Sequence, residues 1–368
     1  MSDSKSLTYW DYLKLDDLLG LQGGVENDEA TLHPDESHFI IVHQIYELWF
    51  KLSLIQLRLA RDQLAPVEVS EDAIPFVVHH LRRVNQIFEV AVDHFAVVET
   101  LTPQDFLGFR DRLIPASGFQ SFQLRELEIL LGLEDQDRVL LGQTSPLEHI
   151  RKLGANTSTG DRAWARIEQA RGEETLRQAL HRWLFRTPIQ GSSPDDANDA
   201  EVVDRFIEDY LAAHGKEQDR QKARMLAQLR MEPEAIEARY AAASQVAREF
   251  LFAEDQPEAD RARIKRIRAA LLFIESYRDL PLLAWPRNLI DTIVELEEQM
   301  VLFRHRHARM VERTIGRRVG TGGSAGVDYL DRTTKYRIFV ELWAVRTLLL
   351  RREARPALEN SSFYAFST

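Results

Sequence analysis

The sequence predicts an all-α fold: a helical bundle that carries a helical insertion. Three observations predict it. Apolar residues recur at three- and four-residue spacing through most of the chain. Alternating runs of β type are scarce. Glycine and proline fall mainly between the periodic segments, where they punctuate helices.

Residues 35–65, beginning DESHFIIVHQIYELWF, read as one long helix. Pro34 suits its first turn, and Asp35 and Glu36 suit the positive end of its dipole. The first half is apolar nearly all round, so burial on several sides is expected. A second long helix spans about 72–100. In TPQDFLGFRDRL, Thr102 caps, Pro103 fits the next position and Asp105 completes a box-like start to a third. PASG at 115–118 breaks that helix, and FQSFQLRELEILLG makes a fourth, stopped by Gly132. Residues of about 140–260 differ in composition and read as a helical, partly acidic elaboration of a single 1–368 domain. Within it, GSSPDDANDAEVVDRFIEDY holds seven acidic residues and one arginine, and is expected to be a solvated loop and helix face. Residues 287–316 form the next long helix, followed by a glycine loop. YRIFVELWAVRTLLLRR is the final helix, and the tail NSSFYAFST is expected to be flexible or packed against a partner chain.

The totals narrow the function. A chain of 368 residues can bury a sizeable core. Hydrophobic residues make up 44% and charged residues 29%, a globular balance. A net charge of −11 with no basic tract argues against nucleic acid. There are no cysteines, which excludes disulfides, thiolate zinc sites, iron–sulfur clusters, and thiolate-ligated or covalently attached haem. Any metal must then be held by histidine or carboxylate. No apolar run approaches the ~18 residues that span a bilayer. The opening MSDSKSLTYWDYL has no apolar leader pattern, so a soluble cytoplasmic protein is the expectation.

Candidate chemistry concentrates in FRHRHARMVERTIGRRVGTGGSAGV, residues 303–327. On a helix, Leu289, Ile293, Leu296, Met300, Phe303, His307, Met310 and Thr314 share one apolar stripe. His305 points about 200° away, to a polar face near Glu298, Arg309 and Glu312. The two histidines therefore cannot chelate one ion together. His307 is left facing inward, either as a hydrogen-bonded core histidine or as the lone neutral imidazole that haem iron takes as an axial ligand. Of Arg304, Arg306, Arg309, Arg313, Arg317 and Arg318, some are placed to meet haem propionates and most are expected to form a solvated face.

His43 lies in FIIVHQIYELWF with Phe39 one turn before it. A histidine in so apolar a helix must satisfy its ring nitrogens or face a cavity. Two buried histidines on different helices would suit a haem between them. Phe106 and Arg110, four apart, share a face; such an arginine either lies on the surface or clamps a carboxylate beside a flat ring. GTGGSAGV lacks the Lys-Ser/Thr pair of a phosphate loop and follows a helix, not a strand, so it is no dinucleotide fingerprint. It reads as a flexible connection or as a lid, with Thr321 and Ser324 supplying hydroxyls.

Together, LTYWDYLKLDDLL (7–19), HPDESHFIIVHQIYELWFKL (33–52), VVETLTPQDFLGFRDRLIPASGFQSFQLRELEILLG (97–132), RHRHARMVERTIGRRVGTGGSAGV (304–327) and FVELWAVRT (339–347) resemble the tryptophan 2,3-dioxygenase family. They cover about a third of the chain, in order. The resemblance implies an all-helical fold of the tryptophan/indoleamine dioxygenase type, b-type haem and a homotetramer. The implied reaction inserts both atoms of O₂ across the indole C2–C3 bond of L-tryptophan, giving N-formylkynurenine. It makes His307 the axial ligand of the haem iron and His43 the distal residue that hydrogen-bonds the indole N–H. It makes Arg110 the holder of the substrate carboxylate and Thr321 a contact for the substrate's ammonium and carboxylate. Phe39 and Phe106 fall at pocket positions around the indole, Ser117 beside the distal haem face, and Tyr9 and Tyr12 at positions that reach a neighbouring subunit's site.

Four features depart from the common pattern. Ala325 stands in place of a second serine. Phe95, in the haem surroundings, stands where a tryptophan is often found. Ser37 and His38 replace a more apolar pair, and the 140–260 region looks longer than in compact bacterial members. These leave open two alternatives: a paralogue that mono-oxygenates a tryptophan derivative, and a non-catalytic haem sensor on the same scaffold.

Overall fold

Thirty-one consecutive residues from Pro34 to Leu64 form a single helix, and it starts as its sequence dictates. Pro34 occupies the first turn, and the His33 ring accepts a hydrogen bond from the Asp35 backbone N–H at 3.2 Å. The computed structural model describes residues 7–70, 72–141, 144–228, 232–321 and 326–365. Two short helices, α1 (Tyr9–Leu13) and α2 (Leu15–Leu18), precede the long one, α3 (Pro34–Leu64). Then come α4 (Ala73–Val98), α5 (Pro103–Phe109), α6 (Phe122–Leu131), α7 (Pro146–Gly154), α8 (Ser158–Gly172) and α9 (Leu176–Arg186). The chain continues through α10 (Asp199–Gln228), α11 (Pro233–Leu251), α12 (Glu258–Ser276), α13 (Ala284–Ile315), α14 (Val327–Thr333) and α15 (Val340–Leu348). Among the described residues, β pairing is confined to two isolated bridges, so the fold is all-α as expected.

The frame of the site is a layer of three long helices, with α4 packed along both α3 and α13. Leu54, Leu57, Leu81, Val84, Phe88, Leu289, Ile293 and Leu296 are buried where these helices meet. Polar side chains fix the register. Tyr46 donates to the Ala91 carbonyl at 3.1 Å, and Asn85 donates to the Thr292 carbonyl at 3.0 Å. Helices α7 to α12 add Ile150, Ile167, Leu180, Phe206, Leu251 and Phe273 to the same apolar cluster. A second, smaller cluster of Leu101, Phe106 and Phe109, backed by Phe39, Leu113 and Ile315, lies at one end of α3 and α13.

Three expectations are corrected. The final helix is shorter than its apolar pattern, because other groups claim the backbone at both ends. The buried Glu297 carboxylate accepts the N–H groups of Ile338 and Phe339 and the Trp343 indole N–H. At the far end, the Tyr210 hydroxyl donates to the Leu348 carbonyl and accepts the Leu350 N–H. The tail is held on its own chain through Tyr364, which is buried and bonded to Pro188 and Gly191, while residues 366–368 lie outside the described residues. The acidic stretch is only partly solvated. Asp195 and Asp196 are exposed, but Asp199 is buried against Arg266 at 2.9 Å and Ser192 at 2.9 Å.

Candidate active site

The apolar stripe of α13 forms as the spacing predicts. Leu289, Ile293, Leu296, Met300, Phe303, Met310 and Thr314 are buried, and His305 is exposed on the opposite face. His307 opens onto a cavity enclosing about 1230 Å³ of empty space, part of it continuous with solvent. Phe39, His43, Phe106, Arg110, Ser117 and Thr321 line the same cavity. Six residues from four separate stretches of sequence thus converge with His307.

His307 is set from behind by Phe95, whose ring stacks on the imidazole at 5.8 Å with 13° between planes. Phe95 is itself buried and is not part of the cavity lining. Burial, helped by the nearby His43 and Arg125, pushes the His307 imidazole down to about 4, so it is neutral at ordinary pH. Among the described residues neither of its ring nitrogens makes a hydrogen bond. A neutral imidazole facing a cavity has the donor chemistry of a ligand for haem iron.

His43 sits one turn after Phe39 on α3, and its ring lies 4.0 Å from the Phe39 ring. Its Nδ1 is 2.7 Å from the Phe39 carbonyl oxygen. Burial, the largest influence, lowers its pKa and keeps the ring neutral. A carbonyl only accepts, so Nδ1 carries the proton and Nε2 is left as an acceptor. The site therefore offers a hydrogen-bond acceptor on the His43 side. Phe106 and Phe109 extend the aromatic wall, with ring centroids 5.8 Å each from Phe39.

Arg110 caps α5: its backbone is helical and its N–H donates to the Phe106 carbonyl, so the two side chains share a face, and both line the cavity. Its Nη2 donates to the Val319 carbonyl at 2.6 Å, and its Nε is buried with no hydrogen-bond partner. Thr321 donates to the Ala116 carbonyl at 2.6 Å, which ties Val319–Thr321 to the PASG turn. Glycines permit that path: Gly316 has φ of 60° and ψ of −139°, and a Cβ on Gly326 would meet the Arg318 carbonyl oxygen at 2.5 Å. Ser324, read as a second hydroxyl of the loop, lies outside the described residues.

Tyr9 and Tyr12 do not join this group. Both are exposed on α1 and neither lines the cavity of its own chain. On the arginine-rich stretch of α13, Arg304 is buried. It donates to Glu128 at 3.1 Å and lies over the Tyr336 ring. Arg125, Glu128 and Arg304 line the cavity, and the sequence reading missed the first two. The signal was present: Arg125 and Glu128 stand three apart in a helix whose neighbours are apolar on almost every side.

Comparison with known proteins decides the lineage. The model of the family described as Tryptophan 2,3-dioxygenase matches residues 1–349. The chain belongs to that family. It is 50% identical to "Tryptophan 2,3-dioxygenase 2" of Ralstonia nicotianae, over 99% of this chain and 98% of the relative. It is 49% identical to "Tryptophan 2,3-dioxygenase" of Sorangium cellulosum, over 99% of this chain and 88% of the relative. A "Tryptophan 2,3-dioxygenase-like protein" of Xanthomonas campestris is 50% identical over 72% of this chain. Members of the tryptophan 2,3-dioxygenase family are haem-dependent, which agrees in kind with the donor set around His307.

Proposed function

We infer that this chain is an oxygenase that cleaves the indole C2–C3 bond of L-tryptophan with O₂, giving N-formylkynurenine. The observation that carries the reading is the convergence of His307, His43 and Arg110 on one cavity in a chain of this family. Haem b, when bound, supplies the iron chemistry that activates O₂. The rest of the mechanism belongs to the protein.

His307 would hold the iron through its neutral ring, kept in place by the Phe95 stack and the rigid α13 backbone. Phe39 and Phe106 would hold the indole plane. His43 would accept the indole N–H at Nε2, because its Nδ1 proton is committed to Phe39. This is a positioning hydrogen bond: the lowered pKa of His43 makes it a poor store for a proton. Arg110 would exchange the Val319 carbonyl for the substrate carboxylate, a stronger charge-assisted partner. Thr321 would contact the ammonium and carboxylate, and Ser117 would line the haem pocket beside the substrate. Holding both ends of the amino acid fixes the C2–C3 edge against the oxygen and excludes water.

A homotetramer fits the surface. Ile41, Leu48 and Ile55 are exposed seven residues apart along α3, and Tyr9, Trp10 and Tyr12 are exposed on α1. Such stripes suit burial against further copies, with Tyr9 and Tyr12 reaching a neighbour's site. A cytoplasmic setting goes with this reading; among the described residues no helix is long and apolar enough to cross a membrane. The test is to incubate the ferrous haem-loaded protein with L-tryptophan and ¹⁸O₂. Two labelled atoms in N-formylkynurenine are expected. One labelled atom in an oxindole-type product, or no turnover, overturns the reading.

A further inference from the structure

Four charged side chains form a buried group on the cavity wall near His307. Glu128 receives Arg138 at 2.6 Å, Arg125 at 3.0 Å and Arg304 at 3.1 Å. All four are buried, with Arg125 at 7% exposure and Glu128 at 1%. Arg138 has a second carboxylate, Asp135 at 3.3 Å, but Asp135 also serves Arg171. Three guanidinium groups therefore share one wholly buried carboxylate and part of an exposed one. The Nε of Arg125 and one terminal nitrogen of Arg138 are buried without a hydrogen-bond partner.

A buried positive excess with orphaned donors calls for a further counter-charge. Arg125, Glu128 and Arg304 open onto the cavity, so the missing anion enters with the occupant. We propose that Arg125, backed by Arg304, receives a propionate carboxylate of the haem. This rests on the haem reading above. A planar guanidinium with free N–H groups is the natural partner of a carboxylate. The amino-acid substrate also has a carboxylate, but by the reading above Arg110 and Thr321 would answer it, and they are bonded to Val319 and Ala116 rather than to α6. Arg125 and Arg304 line the same cavity as His307, and Arg304 stands one turn before His307 on α13.

The experiment titrates the full-length, haem-free chain with ferric protoporphyrin IX and with its dimethyl ester, following the Soret band. The ester is expected to bind on the order of 10- to 100-fold more weakly. Arg125→Gln should weaken the free acid by a similar factor and leave the ester unchanged. Arg125→Lys, which keeps the charge, should recover part of the loss, and circular dichroism reports whether each variant is folded. Equal losses for acid and ester would mean that Arg125 only supports the fold, and would overturn the proposal. So would unchanged haem affinity in Arg125→Gln with lost discrimination between tryptophan and tryptamine, which would assign the site to the substrate. If the unaltered chain binds neither porphyrin, the haem reading itself falls.

Discussion

The Nη2 of Arg110 donates a 2.6 Å hydrogen bond to the carbonyl oxygen of Val319, 209 residues further along the chain. A residue at the end of α5 is thereby joined to the base of the glycine loop. The same guanidinium has a buried, unpartnered Nε, and Arg110 lines the cavity, so its donors are not exhausted by the loop. Arg110→Met should raise KM for tryptophan by about 30- to 1000-fold, the range for losing a charge-assisted carboxylate contact of roughly 2–4 kcal/mol. It should change tryptamine turnover little. Steady-state kinetics on both substrates check this, and an equal effect on the two would remove Arg110 from the carboxylate site.

His307 and His305 make a paired control on one helix. His307 opens onto the cavity and His305 is exposed on the far face. His307→Ala should abolish stable haem binding, read as loss of the Soret band after reconstitution. His305→Ala should leave that band and the affinity unchanged. An equal loss in both would refute the assignment of faces to α13.

His43 titrates in a direction that can be stated. Its folded pKa lies below 6.5, chiefly through burial, and the acceptor role needs the neutral ring. Its contribution is therefore complete above pH 6.5, persists somewhat below it, and is lost only as pH falls through the lowered value. His43→Ala should reduce kcat/KM by about 10- to 30-fold, as expected for one neutral hydrogen bond with a ring contact. It should also flatten the acid limb of the profile. A variant whose acid limb matches the parent would place the titrating group elsewhere.

Glu128 carries a stability prediction. Three arginines hold its carboxyl down at about 2 from an ordinary value of 4.5, against the opposing effect of burial. A depressed carboxyl stabilises the fold above pH 4.5, and that contribution disappears as pH falls from 4.5 toward 2. Glu128→Gln leaves three buried guanidinium groups without their shared counter-charge, so destabilisation of roughly 3–5 kcal/mol is expected. Urea unfolding at pH 7 and pH 3 checks both parts: the gap between parent and variant should narrow at the lower pH.

How much of this was legible in the sequence depends on how local each signal was. Helix starts at Pro34 and Thr102, and the inward turn of His307, follow from caps and periodicity, and all appear in the structure. The ends of α15 were not legible, because Glu297 and Tyr210 act from 41 and 140 residues away. The burial of Arg304 was not legible for the same reason. On α13 alone it belongs to a run of arginines, and only Glu128, 176 residues distant, makes its burial tolerable. Arg110 shares a helical turn with Phe106, as their spacing implies, and both line the cavity. Its tie to Val319 had no local signature at all.

The tail gives the last test, because its burial on its own chain was not anticipated. The Tyr364 hydroxyl donates to the Pro188 carbonyl at 2.9 Å and accepts the Gly191 N–H at 2.9 Å. Its ring packs on Phe273 within the main apolar cluster, whereas the adjacent Phe363 is half exposed. Tyr364→Phe keeps the ring and strands two backbone groups, so a loss of about 1–3 kcal/mol is expected. Phe363→Ser removes only a half-exposed side chain and should stay within about 0.5 kcal/mol. Urea unfolding of both variants at one protein concentration separates the cases. A larger loss for Phe363→Ser, growing on dilution, would mean that the tail belongs to an interface between copies and not to the core of its own chain.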